Sequence, residues 1–309
     1  MLSAYFAESV GDHANSIKSP KRTKDFRPMP VRIVQSKQNA RLKELRRALA
    51  APARSGAAKA GIEGPNLIAE AVRAGLAIDC VFVAQGAERL LDGLQLPPQT
   101  EVLLLPADLL ASALATETPQ PIAALIRPRK WSWRDALPAI VEGARKSAPL
   151  VLVLAGIQDP GNLGTILRSA EAFGATGVVS LPGTVSAWNP KTVRASAGSV
   201  FRVPLLTASV EECFRRLREA RVTIWTTATR DAIAAERADL VRPAALVIGN
   251  EGNGVPHEVA AQAGNSLTIP CPGPVESLNA AVAASVLLYE AARQRAAHPA
   301  QRRSKRSAP

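Results

Sequence analysis

The second half of the chain alternates short apolar runs with longer helix-like segments, and this pattern constrains the fold more than any other feature. Five runs have the length and composition of buried strands: Leu150–Leu154, Gly177–Leu181, Val222–Thr226, Ala245–Ile248 and Leu267–Ile269. The segments between and after them have helical character, notably Leu163–Phe173, Val210–Ala220 and Leu278–Ala296. Strands that alternate with helices form βαβ units. We therefore predict an α/β domain with a parallel sheet covered by helices on both faces.

Three polar segments follow the ends of predicted strands. They are residues 156–168 (GIQDPGNLGTILR), 249–254 (GNEGNG) and 277–279 (SLN). Ligands of open α/β sheets bind outside the carboxyl ends of the strands. The three segments are therefore the candidate site.

Each segment also has a purely structural interpretation. Asn162 stands near the start of a helix, where it can cap free N–H groups, and Arg168 alone is a solvated surface cation. Together they are placed to meet an anionic substrate. Glu251 is either a solvated acid in a glycine-rich turn or a partner that orients Arg168. Ser277 is a good N-cap for the last helix, whereas Asn279 in its first turn is explained less readily.

Taken together, the segments resemble the three motifs of the SpoU/TrmH family, whose members methylate a ribose 2′-hydroxyl in RNA. Asn162, Gly164, Arg168 and the Ala172-Phe173-Gly174 ending match the first motif closely. The resemblance implies S-adenosylmethionine as cofactor, RNA as substrate, a homodimer, and a deep trefoil knot in the parallel-sheet domain. It also covers the stretch 189–198 (NPKTVRASAG). Cys271-Pro272 departs from the family, which often has Met there.

The resemblance assigns roles residue by residue. The catalytic candidates are Arg168, Asn162, Glu251, Ser277 and Asn279. The cofactor-binding candidates are Thr227, Ala228, Gly249, Asn250, Gly254, Ile269 and Leu278. The RNA-binding candidates are Gln38, Asn39, Lys43, Lys191 and Arg194, although solvated helix charge explains Lys191 and Arg194 equally well from sequence alone. No metal is expected.

The rest of the chain is expected to form one further domain and three connecting or terminal segments. Residues 1–30 read as a disordered basic extension, and Met29 is a candidate start of translation. Residues 31–127 read as a small α/β domain, which resembles the ribosomal-protein-like domain that binds substrate RNA in many family members. Residues 128–148 read as a linker, 149–297 as the methyltransferase domain and 298–309 as a basic disordered tail. Trp131 and Trp133 either stack on RNA bases or pin the linker to a domain surface, and the second interpretation is favoured.

Charge and cysteine usage agree with an intracellular RNA-binding protein. The net charge of +12 and the pI near 10.2 favour a polyanionic partner, although an Ala/Arg-rich composition also raises the pI. Three widely spaced cysteines without a CxxC pattern predict neither a disulfide framework nor a zinc site. The first ten residues do not resemble a signal peptide, so we expect a cytoplasmic location.

Methyl transfer to an alcohol needs an aligned and activated hydroxyl. The three histidines lie outside the motifs, and a guanidinium holds its proton too firmly to act as a base. We therefore predict that Arg168 acts as an electrostatic clamp on phosphate and hydroxyl.

The alternatives to a methyltransferase are a catalytically inactive RNA-binding protein on the same scaffold and a Rossmann-type enzyme. The second is disfavoured by the missing G-x-G-x-x-G fingerprint. The sequence leaves open whether rRNA or tRNA is the target.

Overall fold

The computed structural model describes residues 31–50, 59–114, 116–139, 148–228, 231–250, 252–275 and 277–298. The predictions for residues 1–30, for Glu251 and for the tail beyond 298 lie outside these ranges. Within them the chain forms two sheets, one before and one after residue 148. No described helix is long and apolar enough to cross a bilayer.

The first sheet is mixed and has five strands in the order β1-β4-β3-β5-β2. Its strands are β1 (Val31–Ile33), β2 (Ala60–Glu63), β3 (Ala77–Ala84), β4 (Glu101–Leu105) and β5 (Ile122–Arg127). The helices of this region are α1 (Ala40–Ala50), α2 (Pro65–Arg73) and α3 (Ala107–Ala111). β1, β3 and β4 run parallel, while β5 pairs antiparallel with both β2 and β3. Helix α2 packs on one face and helices α1 and α3 pack on the other.

The second sheet has seven strands in the order β10-β12-β9-β11-β6-β7-β8, and every paired neighbour is parallel. The strands are β6 (Leu150–Ala155), β7 (Gly177–Ser180), β8 (Leu205–Thr207), β9 (Thr223–Thr227), β10 (Ile233–Ala234), β11 (Ala244–Gly249) and β12 (Asn265–Thr268). The helices are α4 (Trp133–Ala136), α5 (Pro160–Ala172), α6 (Pro190–Ala195), α7 (Val210–Glu219), α8 (His257–Ala263) and α9 (Ala280–Ala297). The predicted α/β class and parallel sheet are confirmed. Strand order does not by itself establish the trefoil knot, which stays a prediction.

Helices cover both faces of the second sheet because the side chains of its central strands alternate between two cores. In β6, Leu150, Leu152 and Leu154 pack with α5 and α9. Val151 and Val153 point the opposite way and pack with α7 and α8. Burial on both faces explains why these strands read as continuous apolar runs.

The two sheets share one apolar core. The face of the first sheet that carries α2 joins the α5–α9 face of the second in a continuous cluster of buried side chains. Helix α6 and the 3-10 segment Ser199–Phe201 lie at this junction, and Val193, Val200 and Phe201 are buried there. The connection after β5 is also fixed, because the Trp133 indole N–H donates to Glu212 on α7 at 3.2 Å. This contact agrees with the interpretation of Trp133 as a pin. The predicted domain boundaries remain predictions.

Candidate active site

The candidate site lies where the strand order of the second sheet reverses. The chain moves outward from β6 through β7 to β8, then returns to the other side of β6 to form β9 and β11. The loops after β6 and β11 therefore leave adjacent parallel strands in opposite directions, and a crevice opens between them. These loops contain the first two sequence segments.

Asp159, rather than Asn162, caps helix α5. The Asp159 carboxylate accepts a hydrogen bond from the Asn162 backbone N–H at 2.7 Å, and Pro160 occupies the first helical position. Proline suits this position because it has no N–H to leave unpaired. The Asn162 N–H also lowers the pKa of the Asp159 carboxyl. The structural interpretation of Asn162 as the cap of this helix is therefore not observed.

The Asn162 side chain contacts the third segment. The Asn279 side-chain amide donates to the Asn162 side-chain oxygen at 3.2 Å. The Asn279 oxygen accepts from the backbone N–H groups of Ala281 and Val282, which makes Asn279 the N-cap of α9. The predicted cap, Ser277, is wrong: the helix begins at Ala280, and Ser277 lies exposed in the preceding loop.

Asn250 joins the first segment to the second. Its side-chain amide donates to the Gly156 carbonyl at 2.8 Å, and its side-chain oxygen accepts from the Gly252 N–H at 2.9 Å. The backbone N–H groups of Asn250 and Gly254 each donate to the other residue's carbonyl at 2.9 Å, which closes the turn. This turn folds back over Gly249, where an added Cβ would lie 2.1 Å from the Gly254 carbonyl carbon. Only glycine fits there.

Arg168 lies on the third turn of α5 and is exposed. No hydrogen bond or ion pair joins its side chain to another side chain within the described ranges. Its predicted partner, Glu251, lies outside them. Arg168 therefore presents a cation on the same helix whose first turn carries Asn162.

The cofactor-binding candidates surround the ends of three strands. The Thr227 hydroxyl donates to the Val247 carbonyl at 3.1 Å, which ties the end of β9 to β11. The Ala228 N–H donates to the Leu267 carbonyl at 3.0 Å, which ties β9 to β12. Ile269 and Leu278 are half-buried on either side of the loop that leads into α9.

The RNA-binding candidates fall into two groups. Lys191 and Arg194 are exposed on α6, and the Lys191 ammonium lies 3.3 Å from Asp159 at the start of α5. Gln38 and Lys43 are exposed at the start of α1. The side chain of Asn39 accepts from the backbone N–H groups of Arg41 and Leu42, as an N-cap does, which gives it a structural duty as well.

Sequence patterns missed several residues that hold the site together. The Ser169 and Ser285 hydroxyls lie 2.7 Å apart and link α5 to α9, yet neither belongs to a motif. The Asp-Pro pair before α5 did carry a usable signal, because Asp followed by Pro is a common helix start. A cavity of about 590 Å³ lies elsewhere, between β1 and α1, and two of its cations, Arg32 and Arg41, are paired with Glu101.

Comparison with known proteins agrees with this geometry. Residues 149–289 match the model of the SpoU rRNA methylase family, and residues 39–124 match an MRM3-like substrate-binding domain. The 23S rRNA (guanosine(2553)-2′-O)-methyltransferase RlmP of Bacillus subtilis is 32% identical over 232 residues, which span 74% of this chain and 86% of RlmP. A 23S rRNA (guanosine-2′-O-)-methyltransferase RlmB of Xanthomonas campestris is 40% identical over 169 residues, covering 54% and 67% of the two chains.

Solved structures show the same likeness. An rRNA methyltransferase from Sinorhizobium meliloti with bound AdoMet superposes with a TM-score of 0.72 at 29% identity, covering 85% of this chain and 98% of that one. The SpoU methyltransferase AviRb from Streptomyces viridochromogenes, also bound to AdoMet, gives 0.71 at 28% identity, with 84% and 99% covered. The length and identity of the match to RlmP, together with the matched motifs, place the chain in the SpoU rRNA methylase family.

Proposed function

We propose that this chain transfers a methyl group from S-adenosylmethionine to a ribose 2′-hydroxyl of structured RNA, and that the RNA is ribosomal. The observation that carries the proposal is the meeting of three distant segments at one sheet edge through the Asn250–Gly156 and Asn279–Asn162 hydrogen bonds. The names of the relatives, two of which are 23S rRNA 2′-O-methyltransferases, support the reaction and the ribosomal substrate.

The residues at the edge fit the proposed cofactor. All seven candidates are uncharged, which suits a ligand with a positively charged sulfonium: Thr227, Ala228, Gly249, Asn250, Gly254, Ile269 and Leu278. The half-buried side chains of Ile269 and Leu278 offer apolar contacts to a nucleoside, and the glycine-rich turn lets backbone groups approach it closely. When bound, S-adenosylmethionine supplies an electrophilic methyl group.

Arg168 is the proposed catalytic residue, and it acts as a clamp. Its guanidinium stays protonated, so it binds a phosphate oxygen and stabilises negative charge that develops on the ribose hydroxyl. Asn162 lies on the same helix as Arg168, and Asn279 lies at the start of α9. The hydrogen bond between their side chains fixes the orientation of both amides. Glu251 and Ser277 keep their predicted supporting roles as proposals.

The proposed RNA path runs from α1 of the first sheet to α6 beside the site. Lys43 lies on α1, while Lys191 and Arg194 lie one turn apart on α6 and are exposed. Since α6 also contacts α5 and β2, RNA bound there touches both regions of the chain. Gln38 and Asn39 extend the same surface.

The decisive test measures transfer of labelled methyl from S-adenosylmethionine to ribosomal RNA that lacks the modification, followed by mapping of 2′-O-methylated nucleotides. Arg168→Ala is expected to abolish transfer while S-adenosylmethionine still binds, because Arg168 is not among the cofactor-binding residues. Arg215→Ala on α7 removes another exposed arginine and should retain activity. Unchanged turnover in Arg168→Ala would contradict the clamp, and a wild-type chain that binds RNA without methylating it would favour the inactive alternative.

We also propose that the protein is a homodimer joined through α9. Val282, Val286 and Tyr289 follow the spacing of one helix face, and they are 49%, 38% and 56% exposed. An exposed apolar stripe of this kind typically marks an interface. Val286→Glu should convert a dimer into a monomer in light scattering, whereas Ile233→Glu, which is equally exposed on β10, should not. A monomeric wild type would contradict the proposed dimer.

The cytoplasmic location stays a prediction.

A further inference from the structure

Arg202 lies between two carboxylates that come from the two halves of the chain. It follows the 3-10 segment Ser199–Phe201 at the junction of the two sheets. Its Nη1 donates to Glu70 on α2 at 2.6 Å, and its Nη2 donates to Glu171 on α5 at 3.0 Å. Its Nε donates to the second oxygen of Glu171, so the contact with Glu171 is bidentate.

The Arg202 contact engages both oxygens of Glu171. Pairing with Arg202 lowers the pKa of Glu171, so the group is an anion at neutral pH. All three ionised side chains, Arg202, Glu171 and Glu70, are only 25–35% exposed. Bidentate arginine–carboxylate pairs of this kind have a fixed geometry.

Glu171 is also a helical neighbour of Arg168. The two residues are three positions apart on α5, and oppositely charged side chains at this spacing attract each other. Nevertheless, no ion pair forms between them, and Arg168 is exposed without a charged partner among the described side chains. Arg202 engages both oxygens of this carboxylate.

We propose that Arg202 is a positioning residue for methyl transfer: it holds Glu171 away from Arg168 and so leaves the Arg168 guanidinium available to the RNA. Glu70, on the helix α2 that packs on the first sheet, pairs with Nη1 of Arg202. The position of Arg202 therefore depends on both halves of the chain. The inference rests on the proposed catalytic role of Arg168.

The key experiment compares Arg202→Met with the double variant Arg202→Met/Glu171→Gln. In the single variant Glu171 is free to pair with Arg168, and we expect kcat to fall by up to about twofold, the size of effect that a helical ion pair of this spacing produces. In the double variant the neutral amide cannot form an ion pair, and kcat should return to the wild-type value. Because neutralising Glu171 also removes the unpaired carboxylate that Arg202→Met leaves, Tm is measured beside kcat. A merely structural role would restore kcat only together with Tm, whereas the positioning role restores kcat whether or not Tm recovers.

Three control measurements separate the proposed effect on Arg168 from misfolding and from the general loss of an arginine. The affinity for S-adenosylmethionine should be unchanged in all variants, which shows that the second sheet is folded. Arg215→Met removes an arginine that is paired with Glu219 on α7 and should leave kcat unchanged. Glu70→Gln, which weakens only one side of the Arg202 bridge, should lower kcat less than Arg202→Met does.

Two results would overturn the inference: wild-type kcat in Arg202→Met, or a double variant that is no faster than the single one. Both require an active wild type. An inactive wild type would instead overturn the proposed function itself, so the two failures are distinguishable.

Discussion

At the scale of single residues, several motif positions have structural duties that their sequence context does not reveal. Gly249 is enclosed by its own turn, Asn250 holds that turn against the loop after β6, and Asn279 caps α9 while it contacts Asn162. These duties explain why small or amide-bearing residues are required there. Arg168 differs from them, because no described contact of its side chain accounts for it.

Burial separates the three cysteines by reactivity. It raises the pKa of the Cys80 thiol and that of the Cys213 thiol to about 12, so neither forms the reactive thiolate near neutral pH. Cys271 is only half-buried, and its sulfur lies 3.4 Å from the Ile269 carbonyl in the proposed cofactor loop. In the native protein at pH 8, iodoacetamide should therefore modify Cys271 first, as read by peptide mass spectrometry.

S-adenosylmethionine should slow that modification if the loop binds it. Denatured protein provides the control, since all three cysteines should then react. Equal labelling of Cys80 and Cys271 in the native state would contradict the burial argument.

The sequence predicted which residues meet at the site better than it predicted their individual duties. Strand–helix alternation and the rule for sheet edges predicted that the three segments lie at one edge, and hydrogen bonds join the second and the third segment to the first. Ser277 was misassigned as a cap because Ser has good capping propensity anywhere near a helix start, and only the actual helix boundary decides between neighbours. Arg202 gave no signal, because its partners are 31 and 132 positions away.

At the scale of elements, the contact between α5 and α6 is close enough to require glycine. A Cβ at Gly164 would lie 2.5 Å from the Ala195 Cβ, 2.7 Å from the Thr192 carbonyl oxygen and 2.9 Å from the Ser196 nitrogen. Two of these three atoms belong to the backbone, which cannot move without shifting α6. The contact therefore sets the distance between the helix that carries Arg168 and the helix that carries Lys191.

Gly164→Ala is accordingly expected to destabilise the protein, although alanine is the better helix former. The gain in helix propensity is about 1 kcal/mol, whereas overpacking against backbone costs about 1–3 kcal/mol. Thermal unfolding should show a Tm several degrees below wild type. As a control, Thr165→Ala at the neighbouring exposed position should leave Tm nearly unchanged. A Gly164→Ala protein as stable as wild type would contradict the prediction and show that α6 can shift to make room for the methyl group.

Long buried strands were easier to predict than short ones. The buried strands β6 and β11 read as apolar runs, and each predicted bound lies within one residue of the observed one. Strands β8 and β10 of the second sheet were not predicted, because they are only three and two residues long. Strands β2 and β5 of the first sheet were also not predicted. β2 is only four residues long, and β5 runs directly into the polar, proline-containing stretch that marked the expected boundary at Arg127.

At the scale of the whole molecule, Arg295 ties α9 to the beginning of the second sheet. Its guanidinium donates to the carbonyls of Leu240 at 2.8 Å, Pro149 at 3.0 Å and Arg242 at 3.1 Å, and also to that of Ala148. Burial lowers the pKa of Arg295. Four carbonyl oxygens from two chain segments, residues 148–149 and 240–242, thus converge on one cation.

Replacing Arg295 by Met keeps most of the side-chain length but removes the donors from four carbonyls. Each partly buried carbonyl that loses its partner costs about 1 kcal/mol, so we expect a loss of about 2–4 kcal/mol in the free energy of unfolding. Chemical denaturation with urea measures it. Arg293→Met, two residues earlier, removes only an exposed ion pair with Glu290 and should have little effect. Similar urea midpoints for Arg295→Met and Arg293→Met would contradict the stabilising role of the Arg295 hydrogen bonds.

The tie made by Arg295 also orders events during synthesis. It joins residues 147 positions apart, and at about 5–20 residues per second the ribosome needs roughly 7–30 s to make the intervening chain. During that interval α5 lacks the helix that packs against it, and the Asn279 that meets Asn162 does not yet exist. A nascent chain thus acquires its proposed catalytic edge only when α9 docks, so methyl transfer waits for the very helix that completes the core.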